Sequence, residues 1–118
     1  MPWRYLLRGH TPVPVDESNP FMVLAWGKLL EDVDARLVAL TPLAEVFVAG
    51  VPVPAVHVST VFLGIAHYGG IFETMVFGGP LSDMQIRYET WEQAEAGHAR
   101  MVARVLARQL SLSFSGEA

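Results

Sequence analysis

VHVSTVFLGIAHYGGIFETMVFGG, residues Val56 to Gly79, sets the fold of this chain. It holds two apolar runs, Val56 to Ile65 and Ile71 to Phe77, joined by a short loop with His67 and a Gly69-Gly70 pair. Val, Ile, Phe and Thr fill both runs, and such side chains suit a pleated, half-buried surface. Glycines bound the runs at Gly64, Gly69-Gly70 and Gly78-Gly79. The pattern predicts a central β-hairpin. Period-two alternation places Phe72, Thr74 and Val76 on one face and Glu73, Met75 and Phe77 on the other. Neither face is fully polar, which predicts cover on both sides, by the chain's own helices or by another subunit.

Upstream of the hairpin, Trp3 to Arg8 reads as a short first strand. Pro12 and Pro14 then argue against regular pairing of TPVPV. Asn19-Pro20 is a helix start, with Asn as the N-cap and Pro at the first helical position. That helix extends to about Asp34. Phe21, Leu24, Ala25 and Leu29 make one apolar stripe; Met22, Trp26, Leu30 and Val33 make a second. Arg36 to Leu43 reads as a strand cut by Pro42. Glu45 to Pro54 is either a small hairpin turning at Ala49-Gly50 or an irregular edge.

Downstream, Pro80 to Met84 is a turn and Gln85 to Tyr88 a short last strand. Thr90 and Gln93 form a capping box that opens a second helix. Ala94, His98, Met101, Val105 and Gln109 form its apolar stripe, broadened by Val102 and Leu106. Arg100, Arg104 and Arg108 recur every four residues on a different face. Ser111 to Ala118 reads as a frayed end. The expected fold class is α+β: one domain over residues 1–118, with an antiparallel sheet of about four to six strands, two main helices and an oligomeric assembly.

Composition limits the function classes. Of the 118 residues, 52% are hydrophobic and only 17% charged, so a chain this apolar is expected to hide surface in an oligomer. The chain has no long uninterrupted apolar run, which predicts no membrane span, and the N-terminus lacks a secretory apolar region, which predicts no signal peptide. The absence of cysteine removes disulfides and thiolate chemistry. A net charge of −4 argues against non-specific binding of long nucleic acid. It leaves room for a small anion held by clustered arginines.

The four histidines, His10, His57, His67 and His98, do not fall at metal-ligand spacing. His98 reads as a core or interface residue. His67, in a glycine-rich loop presented by a sheet, is the better ligand candidate. Ser59 and His57 share a strand face about 7 Å apart, too far for a Ser–His hydrogen bond. Glu73 and Asp83 have no paired catalytic pattern. No motif for catalysis, metal or cofactor emerges. The arginine stripe reads either as a solvated face suited to the C-terminal half of a helix or as an anion site, because guanidinium groups grip phosphate bidentately. Arg87, near the FGG turn with Phe72 and Phe77, combines a cation with aromatic faces.

Val58 to Gly64 (VSTVFLG), then a histidine and glycines, then Phe72 to Gly79 (FETMVFGG) and Arg87 to His98 (RYETWEQAEAGH) form an ordered set. This set resembles a group of small phage and prophage proteins that includes the Thoeris anti-defence proteins of the first type. Those are sponges that sequester cyclic ADP-ribose isomers, and some also hold cyclic oligonucleotides of the CBASS system at a separate site. The resemblance covers the last half of the chain and the opening strand. It implies binding without cleavage, no cofactor, assembly as dimers or trimers of dimers, and residence in the cytoplasm of the bacterial host cell. Carried onto this sequence, it implies a nucleotide site at Phe77, then Phe72, Asp83 and Arg87, with His67 from the loop. A second, phosphate-binding site at an oligomer axis would use Arg104 or Arg108, with Lys28. Three features depart from the pattern: Ala66 stands where the group has Asp, the His67 to Ile71 loop is short, and Glu45 to Pro54 is an insertion.

Three functions compete on the sequence. A sponge releases intact ligand on denaturation. A nucleotide hydrolase needs a metal cluster or a nucleophile–base pair. An interaction or assembly module, working through the apolar first helix, needs a protein partner and no small molecule.

Overall fold

The computed structural model describes residues 2–116. The fold class is α+β, as the sequence predicts, with two antiparallel sheets. The elements are β1 (Tyr5–Arg8), β2 (Thr11–Pro14), α1 (Pro20–Glu31), α2 (Val33–Arg36), β3 (Leu37–Val48), β4 (Val51–His67), β5 (Gly70–Phe77), β6 (Gln85–Tyr88) and α3 (Trp91–Gly116). β1 and β2 form a two-stranded sheet, and the other four strands form a meander in chain order. An isolated bridge from Arg4 to Ile65 ties β1 to the end of β4.

The central hairpin is the middle of the large sheet. Val58 pairs with Val76, Thr60 with Thr74 and Phe62 with Phe72. All six side chains are fully buried and face α3. The helix lays its own stripe on them: Ala94 packs with Phe62, Phe72 and Tyr88, while Met101 and Val105 pack with Val56, Val58 and Val76. Between these clusters His98 is buried, as expected of a core histidine. Its Nδ1 lies 2.7 Å from Thr60 Oγ1 and its Nε2 2.8 Å from Thr41 Oγ1. Thr60 and Thr74 also share a hydrogen bond. Buried polar groups are costly unless paired, and here each hydroxyl and ring nitrogen has a partner.

Local signals explain the ends of the elements. The Asn19 carboxamide oxygen accepts from the Phe21 and Met22 amides at 3.0 and 3.4 Å. Asp32 ends α1 and caps α2 through the Ala35 amide, so the single helix expected to run to Asp34 breaks here into two. The capping box of α3 is reciprocal: Gln93 N–H donates to Thr90 Oγ1 and Thr90 N–H to Gln93 Oε1. Gly97, facing Tyr88, permits the helix to sit this close; a Cβ there would lie 2.0 Å from the Tyr88 hydroxyl.

Several expectations need correction. The segment with Pro12 and Pro14 does pair, in register with β1; a strand bonded on one side tolerates missing amides. β3 runs straight through Pro42, with register shifts on either side of Ala44 absorbing the misfit. Glu45 to Pro54 is the hairpin alternative, turning at Ala49 (φ 50°) and Gly50 (φ 79°), the two positive φ values of a type I′ turn. α3 continues through Gly116 rather than fraying at Ser111; Glu117 and Ala118 lie outside the described residues.

The expectation of cover on both sheet faces holds for one face within this chain. Opposite α3, the sheet presents His57, Ser59, Val61, Glu73, Met75, Phe77 and Arg87, half-buried or exposed. α1 meets β4 at Gly64, whose carbonyl accepts from Trp26 Nε1 at 2.8 Å. Of its two stripes, Met22, Trp26 and Leu30 are half-buried, while Phe21 (81%) and Leu24 face solvent. Among the described residues no helix is long and apolar enough to cross a membrane.

Candidate functional site

The residues singled out for the nucleotide site fall into three places. Phe72 is fully enclosed between Phe62 and Trp91. It is a core residue and offers no face to a ligand, which removes it from the site. The cause is its period-two position: it shares the helix-covered face with Thr74 and Val76.

Phe77 and Asp83 lie at one end of β5. Phe77, on the open face, is 40% exposed. Its ring stacks on His57 with centroids 4.8 Å apart and planes 12° from parallel. The Nδ1 atom of His57 is buried without a hydrogen-bond partner among the described residues. Asp83 sits in a tight turn with φ of 70°, and its amide donates to the Val76 carbonyl at 2.9 Å. Asp tolerates this left-handed conformation better than most residues.

His67 and Arg87 lie toward the other end. Glu73 pairs with Arg87 across β5 and β6, so Arg87 is four residues back along β5 from Phe77, a separation of about 13 Å. Arg87 Nε donates to Glu73 Oε2 at 3.0 Å, and its Nη1 donates to the Tyr68 carbonyl at 3.2 Å. These two bonds hold the guanidinium at the sheet edge. Two cavities adjoin there. One, of about 650 Å³, is walled by Arg87, Tyr88, Glu89, Gln93 and Arg100. The other, of about 330 Å³, is walled by Tyr5, His67, Gly70 and Glu89. Gly69 borders both.

The second predicted site is only partly assembled. Arg104 lines a cavity of about 250 Å³ with Ile86, Tyr88, Gly97, Arg100 and Met101. Arg108 is exposed one turn further along α3. Lys28 is exposed on α1, an element that packs against β1, β4 and α2. Among the described residues no three His, Asp or Glu side chains converge as metal ligands would.

Two residues left out of the predicted sites gain a place. Arg100 belongs to the arginine stripe, yet only the docking of α3 beside β6 sets it across a cavity from Arg87. His57 meets Phe77 because the β4–β5 register shifts between Phe62 and His67. A regular hairpin closing at Tyr68-Gly69 would set His57 opposite Pro80. No spacing signal announces that shift, although Gly64 within it marks a place where a strand can deform. Comparison with known protein families, curated proteins and solved structures finds no match.

Proposed function

We propose that this protein sequesters a cyclic ADP-ribose-type signal, working as a homo-oligomer in the cytoplasm of a bacterial host and releasing its ligand intact. The observation that carries the reading is the pairing, on one open sheet face, of an exposed aromatic ring at Phe77 with a positioned guanidinium at Arg87. A nucleotide needs both: a π-face for the base and a fork of N–H donors for the phosphates. At the arginine end, the cavity shared with Arg100 adds a second guanidinium and has the volume of a small-molecule pocket. The ordered motif set, which resembles the phage sponge group, supplies the ligand class. Sequestration requires tight binding alone, with no chemical step. Cyclic oligonucleotides at the Arg104 region are the corresponding proposal for a second site.

The test is calorimetric titration with cyclic ADP-ribose isomers, followed by heat release and chromatography of the ligand. Intact ligand recovered from a tight complex supports sequestration; an altered product makes the protein an enzyme. The Phe77→Ala variant should bind at least tenfold more weakly while keeping its circular dichroism. Wild-type affinity in that variant would remove Phe77 from the site. A second reading, a protein-interaction module, draws on the exposed Phe21 and Leu24 stripe of α1. It gains if no nucleotide gives heat.

A further inference from the structure

We infer that β6 accepts an extended acidic peptide as an added strand, in the groove between its free edge and α3. β6 is the last strand of the four-stranded meander, and among the described residues no strand pairs with its outer side. The Val76 amide donates to the Met84 carbonyl at 3.0 Å. Hydrogen-bonded and non-hydrogen-bonded pairs alternate along an antiparallel ladder, and the register continues through Met75 with Gln85, Thr74 with Ile86, Glu73 with Arg87 and Phe72 with Tyr88. Ile86 and Tyr88 therefore turn their backbone N–H and C=O groups inward to β5, while Gln85 and Arg87 turn theirs outward. The Glu89 amide, next in that outward row, donates to Gln93 Oε1 at 3.1 Å. The N–H and C=O groups left at Gln85 and Arg87 are the template that an added strand uses.

The groove beside this edge fixes the chemistry of the peptide. Two cavities lie along it, of about 650 and 250 Å³, and Tyr88 and Arg100 line both. Ile86 lines the smaller and Glu89 the larger, so the two follow one another along the chain of β6. Side chains on one face of a strand recur about every 7 Å, which lets alternate residues of an added strand enter the two cavities in turn. In the smaller, Ile86 (40% exposed) and Met101 supply apolar surface, Arg100 and Arg104 supply cations, and no carboxylate lines the wall among the described residues. Neither arginine has an ion-pair partner among the described residues. A cavity of this size suits one side chain, and glutamate answers its lining: the stem lies on Ile86 and Met101, and the carboxylate meets the guanidinium forks.

The larger cavity balances Arg87 and Arg100 with Glu89 and Glu92, so it selects no net charge and takes a polar side chain. Charge complementarity therefore favours an acidic strand. β6 of a second copy is disfavoured, because its own Arg87 would come to the same edge as Arg100 and Arg104. Strand addition does not rest on the nucleotide reading, since the peptide is titrated without nucleotide.

The experiment is fluorescence anisotropy on the full chain with short labelled peptides blocked at both ends. One peptide alternates threonine and glutamate, and a second alternates threonine and lysine. The glutamate peptide should bind at least tenfold more tightly than the lysine peptide. Two further glutamate peptides are N-methylated, one at the threonine amides and one at the glutamate amides. Only alternate amides face a neighbouring strand, so one of these should lose at least tenfold in affinity and the other less than threefold. Arg104→Gln should weaken the glutamate peptide at least fivefold with circular dichroism unchanged. Arg8→Gln, the same charge change at an exposed residue of β1, should keep the affinity within twofold. If Arg104→Gln fails to fold, the methylated peptides decide on the wild-type chain. No binding of the glutamate peptide overturns strand addition, including the case in which β6 of a second copy already fills the edge. Equal binding of the glutamate and lysine peptides overturns it too. Equal affinity of the two methylated peptides makes the groove a charge site alone, open to a cyclic oligonucleotide, and also overturns it. Each of these results leaves the calorimetric test of cyclic ADP-ribose binding untouched, so sequestration stands or falls separately.

Discussion

Replacing Thr60 by valine keeps the volume and removes one hydroxyl from the centre of the core. That hydroxyl joins Thr74 Oγ1 and His98 Nδ1, and all three residues are buried. The substitution leaves two buried polar atoms without the partner they have now, and a buried polar group left unsatisfied costs about 1–3 kcal/mol. The valine methyl recovers part of this, so a net loss of about 2–4 kcal/mol is expected, a large share of the 5–15 kcal/mol typical of a domain. At about 4 °C per kcal/mol for a chain of this size, the melting temperature should fall by roughly 8–16 °C. Thr60→Ser retains the hydroxyl and loses one buried methyl, at a cost of about 1 kcal/mol. The assay is urea denaturation followed by circular dichroism at matched protein concentration, which removes any contribution from assembly. A valine variant as stable as the serine variant would refute the reasoning, because the polar network would then contribute nothing beyond its volume.

Burial holds the pKa of His98 below its ordinary value of 6.5. The folded state therefore binds fewer protons than the unfolded chain once the pH drops below about 6.5, and His98 costs stability increasingly as pH falls through that value. Between pH 7.5 and pH 5.5 the wild type should lose more of its urea midpoint than His98→Gln; equal losses would place the titration elsewhere. Gly97→Ala puts a methyl group 2.0 Å from the Tyr88 hydroxyl, so either Tyr88 or α3 must move. A loss of about 1–3 kcal/mol is expected, read from the same denaturation curves, and a neutral result would mean the helix sits farther from β6. Arg104→Ala should weaken only a cyclic oligonucleotide and leave a cyclic ADP-ribose isomer bound, as titration of each ligand would reveal. Equal weakening of both would merge the two proposed sites.

Much of the fold can be read from the chain because the signals are local. The alternation in β5 alone separates Phe72, Thr74 and Val76 from Glu73, Met75 and Phe77 onto opposite faces. Thr90 and Gln93 start α3 where their side chains can reach the backbone amides, and Asn19-Pro20 does the same for α1. The site is less legible, since its parts come from different elements. Phe72 and Phe77 are chemically alike, and only burial beneath α3 separates a core ring from an available one. Arg100 reads as one of three equivalent stripe positions until α3 docks beside β6.

The sequence by itself determined the central hairpin and the starts of α1 and α3, which follow from side chains acting on their own backbone within a few residues. Only the tertiary structure decided the register that sets His57 against Phe77 and the partners of His98. It also decided which face of the sheet stays open. These depend on contacts between residues distant in the chain, whose free energy is settled by packing and desolvation once the elements meet.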